Sequence, residues 1–145
     1  MPETSSNSDS RASRYSDGNR IEILVVDDEA RIREMLQLFL DSQGYQTHTA
    51  AGGEVALTLA RRHKPALIIA DLMMPGMTGI GLIRELKSDA ELQDILILAM
   101  TGGSLQNADE AEAAGADGFI AKPFRTAAIL EEIKFLLASK QPGQG

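Results

Sequence analysis

Acidic, hydroxyl and ammonium side chains stand directly after apolar runs of this sequence, at positions from which they could act together. They are Asp27, Asp28, Asp71, Thr101 and Lys122. Three carboxylates brought together repel one another, so they either raise one another's pKa or bind a cation. Mg2+ suits an all-oxygen site of few protein ligands, because it keeps several waters and binds phosphate oxygens. The acids therefore predict a candidate Mg2+ site.

The same side chains could support phosphoryl transfer. A carboxylate shielded by a cation can act as a nucleophile towards phosphorus, and Asp71 is the candidate. The reaction depends mainly on positioning and on neutralising the equatorial oxygens of the phosphoryl group. The Lys122 ammonium would supply positive charge and the Thr101 hydroxyl a hydrogen bond. Together these groups suffice to form an aspartyl phosphate.

Each residue taken alone has a simpler explanation. Asp28 could cap the helix that follows it. Asp71 could belong to a turn with Pro75 and Gly76, which follow it in the sequence. Thr101 could also be a cap, and Lys122 could be an ordinary exposed lysine. The combination argues against these explanations, because acid, acid, hydroxyl and ammonium groups follow four apolar strands that leave little other polar chemistry there.

Apolar runs alternate with helical patterns five times, which predicts the elements that position these residues. The predicted strands are residues 21–26, 45–49, 66–70, 95–99 and 118–121, and the predicted helices are 29–42, 54–63, 79–87, 105–114 and 126–138. This alternation indicates a doubly wound α/β domain with a parallel sheet and right-handed crossovers. The second strand is polar and suits a sheet edge, whereas the third and fourth are apolar throughout. Ligands of such sheets bind beyond the carboxyl ends of the strands, where the candidate residues lie.

The composition limits the function classes. The 145 residues are 43% hydrophobic and 24% charged, which is typical of one globular domain. A net charge of -7 argues against a broad basic surface for nucleic acid. The absence of cysteine excludes disulfides and thiolate chemistry. No apolar run approaches the ~20 residues of a membrane span, and we expect a cytoplasmic protein.

The chain divides into a central domain and two tails. Residues 1–20 hold six serines and one aromatic residue, so they cannot bury enough apolar surface to offset the entropy of ordering. We predict a disordered N-terminal tail over residues 1–20, a folded domain over 21–139 and a C-terminal tail over 140–145.

Four strings of residues carry a resemblance to a known family. They are 23–29 (ILVVDDE), 67–79 (LIIADLMMPGMTG), 96–102 (LILAMTG) and 115–124 (GADGFIAKPF). In this order and spacing they resemble bacterial two-component response regulator receiver domains of the stand-alone, chemotaxis-regulator type, over about residues 21–138. The resemblance implies a flavodoxin-like (β/α)5 fold with strand order 2-1-3-4-5.

The resemblance also implies roles for residues of the site. Asp28 and Asp71 would bind Mg2+ directly, together with the backbone carbonyl of Met73, and Asp27 would help through water. Thr101 and Lys122 would contact the oxygens of the phosphoryl group that Asp71 carries. The peptide bond before Pro123 is expected to be cis.

A switch is a further implication of the resemblance. Phosphorylation adds roughly -1.5 to -2 charges and draws Thr101 towards the new group, so Phe119 can turn inward and remodel the face of helix four, strand five and helix five. Phe119 replaces the more familiar tyrosine, which predicts a switch of packing alone. Met73 and Gly103 occupy positions that tune phosphoryl lifetime, and neither side chain can orient a hydrolytic water. We therefore expect slow self-dephosphorylation.

The implied partners are proteins. Asp71 would receive its phosphoryl group from the phosphohistidine of a sensor histidine kinase or of a histidine phosphotransfer protein. Output would pass to a downstream target protein or through a phosphorylation-dependent dimer, without direct contact to nucleic acid or membrane. The chain would catalyse only its own phosphorylation and slow dephosphorylation, so we expect a signalling domain and not an enzyme.

Two other functions stay open. A haloacid-dehalogenase-like phosphatase also combines an aspartyl nucleophile, Mg2+ and a doubly wound sheet, but its nucleophile lies in an Asp-x-Asp loop after the first strand, which residues 27–29 do not match. A receiver that serves only as an interaction scaffold would need none of the acids, Thr101 or Lys122. His63 follows two arginines at a predicted helix C-terminus, where a cation complements the helix dipole, and we favour that role over one as a phosphorelay donor.

Overall fold

The computed structural model describes residues 20–74, 76–102 and 105–140. The predicted tails, apart from Arg20 and Lys140, lie outside the described residues, and so does Gly103. In the described part of the chain, strands and helices alternate strictly. They are β1 (Glu22–Val26), α1 (Ala30–Ser42), β2 (Gln46–Ala50), α2 (Gly53–His63), β3 (Leu67–Asp71), α3 (Gly79–Lys87), β4 (Leu96–Thr101), α4 (Leu105–Ala114), β5 (Gly118–Ala121) and α5 (Thr126–Ser139).

The strands form a parallel sheet in the order β2-β1-β3-β4-β5, which confirms the predicted flavodoxin-like topology. β2 lies at an edge, as its polar sequence predicts, and every residue of β3 and β4 is buried. Consecutive parallel strands must be joined by a crossover connection, and in this domain each connection contains a helix. The carboxyl ends of the strands consequently meet at one edge of the sheet.

Apolar side chains pack against both faces of the sheet. On one face, alternate residues of β1, β3 and β4 contact α2, α3 and α4, with Leu24, Ile68 and Ile97 at the centre. On the other face, the remaining alternate residues contact α1 and α5, with Leu36 and Ile133 among them. This two-sided burial explains why β3 and β4 are apolar throughout, since both of their faces are covered by helices.

The strand ends differ from the predicted ones by one or two residues. Asp71 was expected to begin a loop, but it is the last residue of β3 and pairs with Met100. β4 likewise continues to Thr101, which pairs with Ala121. Strand assignment follows backbone hydrogen bonds, which an apolar pattern does not reveal, so polar residues at the end of a strand are easily assigned to the loop.

Helix ends follow local chemistry. The Thr78 side chain accepts a hydrogen bond from the Gly81 amide and caps α3. Gly44 follows α1 with a φ of +96°, a left-handed conformation that glycine adopts without strain. Among the described residues, no helix is long and apolar enough to cross a membrane.

Candidate functional site

Three aspartates meet at the carboxyl edge of the sheet. Asp27 and Asp28 follow β1, and Asp71 ends the neighbouring β3. One carboxylate oxygen from each side chain lies within 4.8 Å of the others. Asp27 and Asp71 are buried, whereas Asp28 is exposed, so the cluster opens to solvent on the Asp28 side.

The Asp27 carboxylate is fully buried and has a partner for each oxygen. Its Oδ1 accepts a hydrogen bond of 2.9 Å from the Glu29 amide, and its Oδ2 accepts one of 3.0 Å from Lys122 Nζ. The Asp27 backbone carbonyl also accepts a hydrogen bond of 2.7 Å from Arg33 Nη1 on α1. These contacts fix the loop between β1 and α1, because a buried carboxylate is stable only when it is paired and hydrogen-bonded.

Asp71 is 5% exposed and lies beside the same lysine. Its Oδ1 accepts a hydrogen bond from the Met73 amide at 3.1 Å, and its Oδ2 accepts one from Lys122 Nζ at 3.3 Å. Burial raises the pKa of Asp71 and the charge of Asp27 adds to that rise, while the Met73 amide and Lys122 oppose it. The folded protein therefore disfavours the ionised form of Asp71, and a bound cation would reduce this unfavourable free energy.

Lys122 bridges the buried acids from the position after β5. Burial lowers the pKa of Lys122, but the hydrogen bond and charge of Asp27 and those of Asp71 outweigh it, so the pKa is raised above 10.5. Its Nζ also lies 3.7 Å from Glu29 Oε1. The lysine is thus held as a cation against carboxylates from two different strands.

The donor set of the acidic cluster fits Mg2+. Asp27, Asp28 and Asp71 offer carboxylate oxygens only, and the cluster is open to solvent at Asp28. Hard oxygen donors with solvent access are what Mg2+ requires, because it keeps several of its waters. The geometry is compatible with the predicted metal site.

Thr101 lies on β4, the neighbour of β3, and Phe119 lies on β5, one strand further from the acids. Thr101 is 5% exposed, and its carbonyl accepts a hydrogen bond of 2.7 Å from the Lys122 amide. Phe119 pairs with Ala99 in the sheet and is half-buried against the core on the side of α4. The Lys122–Pro123 peptide bond is cis. Lys122 and its backbone hydrogen bond to Thr101 thus connect the acidic cluster to the ends of β4 and β5.

Met73 extends from the site towards α4. Its side chain is 62% exposed, and its sulfur accepts a hydrogen bond of 3.5 Å from Asn107 Nδ2. The neighbouring Met74 is buried in the core. The Met73 side chain is therefore a surface contact at the rim of the site and not part of the core.

Sequence reasoning missed two contributors to the site. Arg33 donates a hydrogen bond to the Asp27 carbonyl. Arg31 lies in the same helix, and which of the two arginines faces Asp27 depends on how α1 is rotated about its axis. The sequence does not define that rotation closely enough to choose between them. Gly79 lies directly beneath the end of β3, where a Cβ would overlap the Asp71 carbonyl oxygen and come within 2.6 Å of the Leu72 Cα. The sequence did hold an indication of this contact, because glycine is unfavourable within a helix and Gly79 nevertheless stands at the start of α3.

The sheet order, the acidic cluster and its bridging lysine define a class of protein, and the family comparison agrees. The model of the response regulator receiver domain family matches residues 23–134, and the chain belongs to this family of two-component signalling domains. Phosphorylation and Mg2+ binding are general features of the family.

Individual relatives support the assignment. The phosphate regulon transcriptional regulatory protein PhoB of Pseudomonas aeruginosa is 39% identical over 122 residues, which cover 83% of this chain and 53% of that protein. The transcriptional regulatory protein SrrA of Staphylococcus aureus is 37% identical over 120 residues, covering 83% and 49%. The chain thus spans about half the length of these curated relatives.

Solved structures resemble the whole domain. The chemotaxis response regulator CheY4 of Vibrio cholerae has a TM-score of 0.77 and 32% identity, covering 81% of this chain and 98% of that chain. The signal receiver domain of a histidine kinase from Syntrophus aciditrophicus has a TM-score of 0.77 and 33% identity, covering 83% and 92%.

Proposed function

We propose that Asp71 is the phosphoacceptor of this receiver domain and that a partner histidine kinase, or a histidine phosphotransfer protein, is its donor. The observation that supports this most directly is the contact of a buried Asp71 carboxylate with Lys122 beside two further aspartates. A buried carboxylate with a raised pKa, next to a cation and at an open edge of the sheet, is a common feature of reactive sites.

These contacts support the following course for the transfer. An Asp71 carboxylate oxygen attacks the phosphorus of a phosphohistidine, so that a P–O bond forms while the P–N bond breaks and the imidazole departs. Lys122 exchanges part of its contact with Asp27 and Asp71 for the phosphoryl oxygens, and Thr101 donates its hydroxyl to one of them. The Met73 amide keeps the carboxylate of Asp71 oriented.

The metal is a separate part of the proposal. Asp27, Asp28, Asp71 and the backbone carbonyl of Met73 would hold Mg2+, with Asp27 acting through water. When bound, Mg2+ supplies positive charge that offsets the repulsion between the carboxylates and the phosphoryl group.

Output would run through the face of α4, β5 and α5. Once Asp71 carries a phosphoryl group, Thr101 moves towards it and Phe119 occupies the space that Thr101 leaves. This is a shift between two packings, biased by a single covalent charge. The remodelled face would bind a downstream target protein or a second phosphorylated copy.

A cytoplasmic location remains a prediction from the sequence.

The competing functions fit the site less well. A haloacid-dehalogenase-like phosphatase would carry its nucleophile in an Asp-x-Asp loop after β1, whereas residues 27–29 there are Asp-Asp-Glu and the Asp27 carboxylate is fully buried, with both oxygens hydrogen-bonded. A scaffold that ignores phosphorylation would gain nothing from burying Asp27 and Asp71 against one lysine, because buried ionic groups are costly to maintain.

Acetyl phosphate tests the proposal without knowledge of the kinase. We expect the protein to gain the mass of one phosphoryl group in Mg2+ and to gain none in chelator or as Asp71→Asn. Glu131→Gln, an exposed acid on α5, serves as the control and should behave as wild type. Unchanged labelling of Asp71→Asn would overturn the assignment, and rapid turnover of a generic phosphate ester would favour the phosphatase.

The same sample measures phosphoryl lifetime. After the donor is removed, we expect slow loss of the group, because the thioether of Met73 is only a weak acceptor and its sulfur already accepts a hydrogen bond from Asn107, so it is poorly suited to orient a water for hydrolysis. A lifetime of only seconds at neutral pH would contradict this part of the proposal.

A further inference from the structure

A second cluster of metal-ligating side chains lies at the opposite end of the sheet from Asp71. Glu22 is the first residue of β1, His48 lies within β2 and His63 ends α2. Glu22 and Asp27 are separated by the length of β1, which is roughly 16 Å at the usual rise of a strand. The cluster is therefore independent of the acidic site and of the function proposed for it.

The strand register brings the first two members together. β1 and β2 pair so that Leu24 lies opposite His48. Because residues two apart on a strand share a face, Glu22 points to the same side as Leu24. Leu24 packs towards α2, so the last residue of α2, His63, completes the group from above the sheet.

The donor atoms converge on one oxygen. His48 Nε2 lies 2.8 Å from Glu22 Oε1, and His63 Nδ1 lies 3.8 Å from the same atom. One donor atom from each of the three residues lies within 4.8 Å of the others. The two imidazole rings stack, with centroids 3.9 Å apart and planes 17° apart. The side chains are between 17% and 31% exposed, so a small cation and one water could reach them.

We propose that Glu22, His48 and His63 form a Zn2+ site with two imidazole nitrogens and one carboxylate oxygen as ligands. This donor set suits Zn2+ and not Mg2+, since imidazole is a good ligand for borderline transition metals and a poor one for hard cations. Three protein ligands on a partly exposed surface leave a fourth position for water.

Binding requires a small movement of the rings. The lone pairs of the two stacked imidazoles lie in nearly parallel planes, with the ring centroids 3.9 Å apart, so at least one ring must turn for both to face one ion. His63 can turn most easily, because it lies at a helix end and is the more exposed histidine. The bound ion would then join the edge strand β2 and the end of α2 to β1, and it would stabilise the folded protein by mass action.

Histidine NMR tests the site directly, because His48 and His63 are the only histidines of the 145-residue chain. Zn2+ is added to protein kept in excess Mg2+, so that the acidic cluster does not compete. We expect the imidazole resonances of both rings to shift together, to saturate at one equivalent and to return on chelation. The melting temperature should rise with Zn2+.

Variants separate this site from the acidic one. We expect Glu22→Gln to weaken Zn2+ binding at least about tenfold and His63→Gln to abolish the shift of His48. Asp71→Asn and the surface control Glu131→Gln should bind Zn2+ as wild type does. A shift of one ring only, a shift that does not saturate, or undiminished affinity of Glu22→Gln would overturn the proposal and leave a hydrogen-bonded histidine stack.

Discussion

At the residue scale, Asp71 is the proposed phosphoacceptor, and its buried charge has a cost in stability. Its carboxylate is almost fully buried beside that of Asp27, and Lys122 is shared between them. Burial and the neighbouring charge raise its pKa, so the folded protein holds the ionised form less readily than water does. The site proposed here to bind a cation and a phosphoryl group would gain from this incompletely balanced negative charge.

Replacing Asp71 by Asn should therefore stabilise the metal-free protein. The amide keeps the shape and can still accept the hydrogen bond of the Met73 amide, but it removes the buried charge. We expect thermal melting in chelator to move up by a few degrees, while stabilisation by Mg2+ is lost. Asp28→Asn is the matched control, since this exposed acid should weaken Mg2+ binding without raising metal-free stability.

The pH dependence of this gain has a defined sign. With the pKa of Asp71 raised above 3.8 in the folded state, that state binds more protons than the unfolded one. The unfolding free energy of wild type then falls as pH rises from the unfolded-state pKa of Asp71 to its raised folded-state pKa. The stability advantage of Asp71→Asn therefore grows over this interval and levels off above the folded-state pKa. An advantage that is largest in acid, or a lower melting temperature for Asp71→Asn, would contradict this explanation.

Replacing Lys122 should lower the stability of the metal-free protein, in contrast to the gain expected for Asp71→Asn. Lys122→Met removes the cation that both buried carboxylates share, and we expect a loss of roughly 1–3 kcal/mol in unfolding free energy in chelator. Mg2+ should restore more stability to this variant than to wild type, because it replaces the lost positive charge. Urea unfolding measures both, with the exposed Lys134→Met as the control. Equal stability of Lys122→Met and Lys134→Met would show that the bridge contributes nothing.

At the element scale, the approach of α3 to the end of β3 positions Asp71, the proposed phosphoacceptor. The Gly79 amide donates a hydrogen bond to the Leu72 carbonyl at 3.3 Å, and the Leu72 amide donates one to the Met100 carbonyl at 3.1 Å. The helix begins so close to the strand that only a residue without a side chain fits there. The loop after Asp71 is thus fixed at both ends.

Gly79→Ala should disturb this contact. The new methyl group would meet the backbone of Asp71 and Leu72, which cannot move aside, and we expect a loss of roughly 1–3 kcal/mol. Gly81→Ala, in the same helix, meets only ordinary contacts and should be neutral or stabilising. Denaturant unfolding of the pair is the measurement, and equal stability would argue against close packing at Gly79.

The elements also mark how far the sequence predicts the structure. Apolar periodicity predicted α3 at residues 79–87, and the shared edge of parallel strands predicted that Asp27 and Asp71 would meet. The cluster of Glu22, His48 and His63 was not predicted, and His63 was interpreted only as a cation at a helix end. Finding it requires the register of β1 against β2, which depends on tertiary pairing and not on local pattern.

At the scale of the whole molecule, the acidic site adjoins the face of α4, β5 and α5 that is proposed for output. Thr101 and Lys122 connect through a backbone hydrogen bond, and Phe119 lies between the strands and α4. We expect a beryllofluoride complex, which imitates the phosphoryl group, to shift amide resonances of α4, β5 and α5 while those of α2 move little. Thr101→Ala should reduce the shifts on that face without preventing binding. Shifts spread evenly over the domain would contradict a local switch.

The central claim is that Asp71 itself carries the phosphoryl group. The most direct measurement is reductive trapping with borohydride after reaction with acetyl phosphate and Mg2+, followed by peptide mass spectrometry, since an acyl phosphate is reduced to the alcohol and its position is recorded. We expect the reduced residue at position 71 alone. Trapping at Asp27 or Asp28, or no trapping in protein that has gained the mass of a phosphoryl group, would contradict the claim.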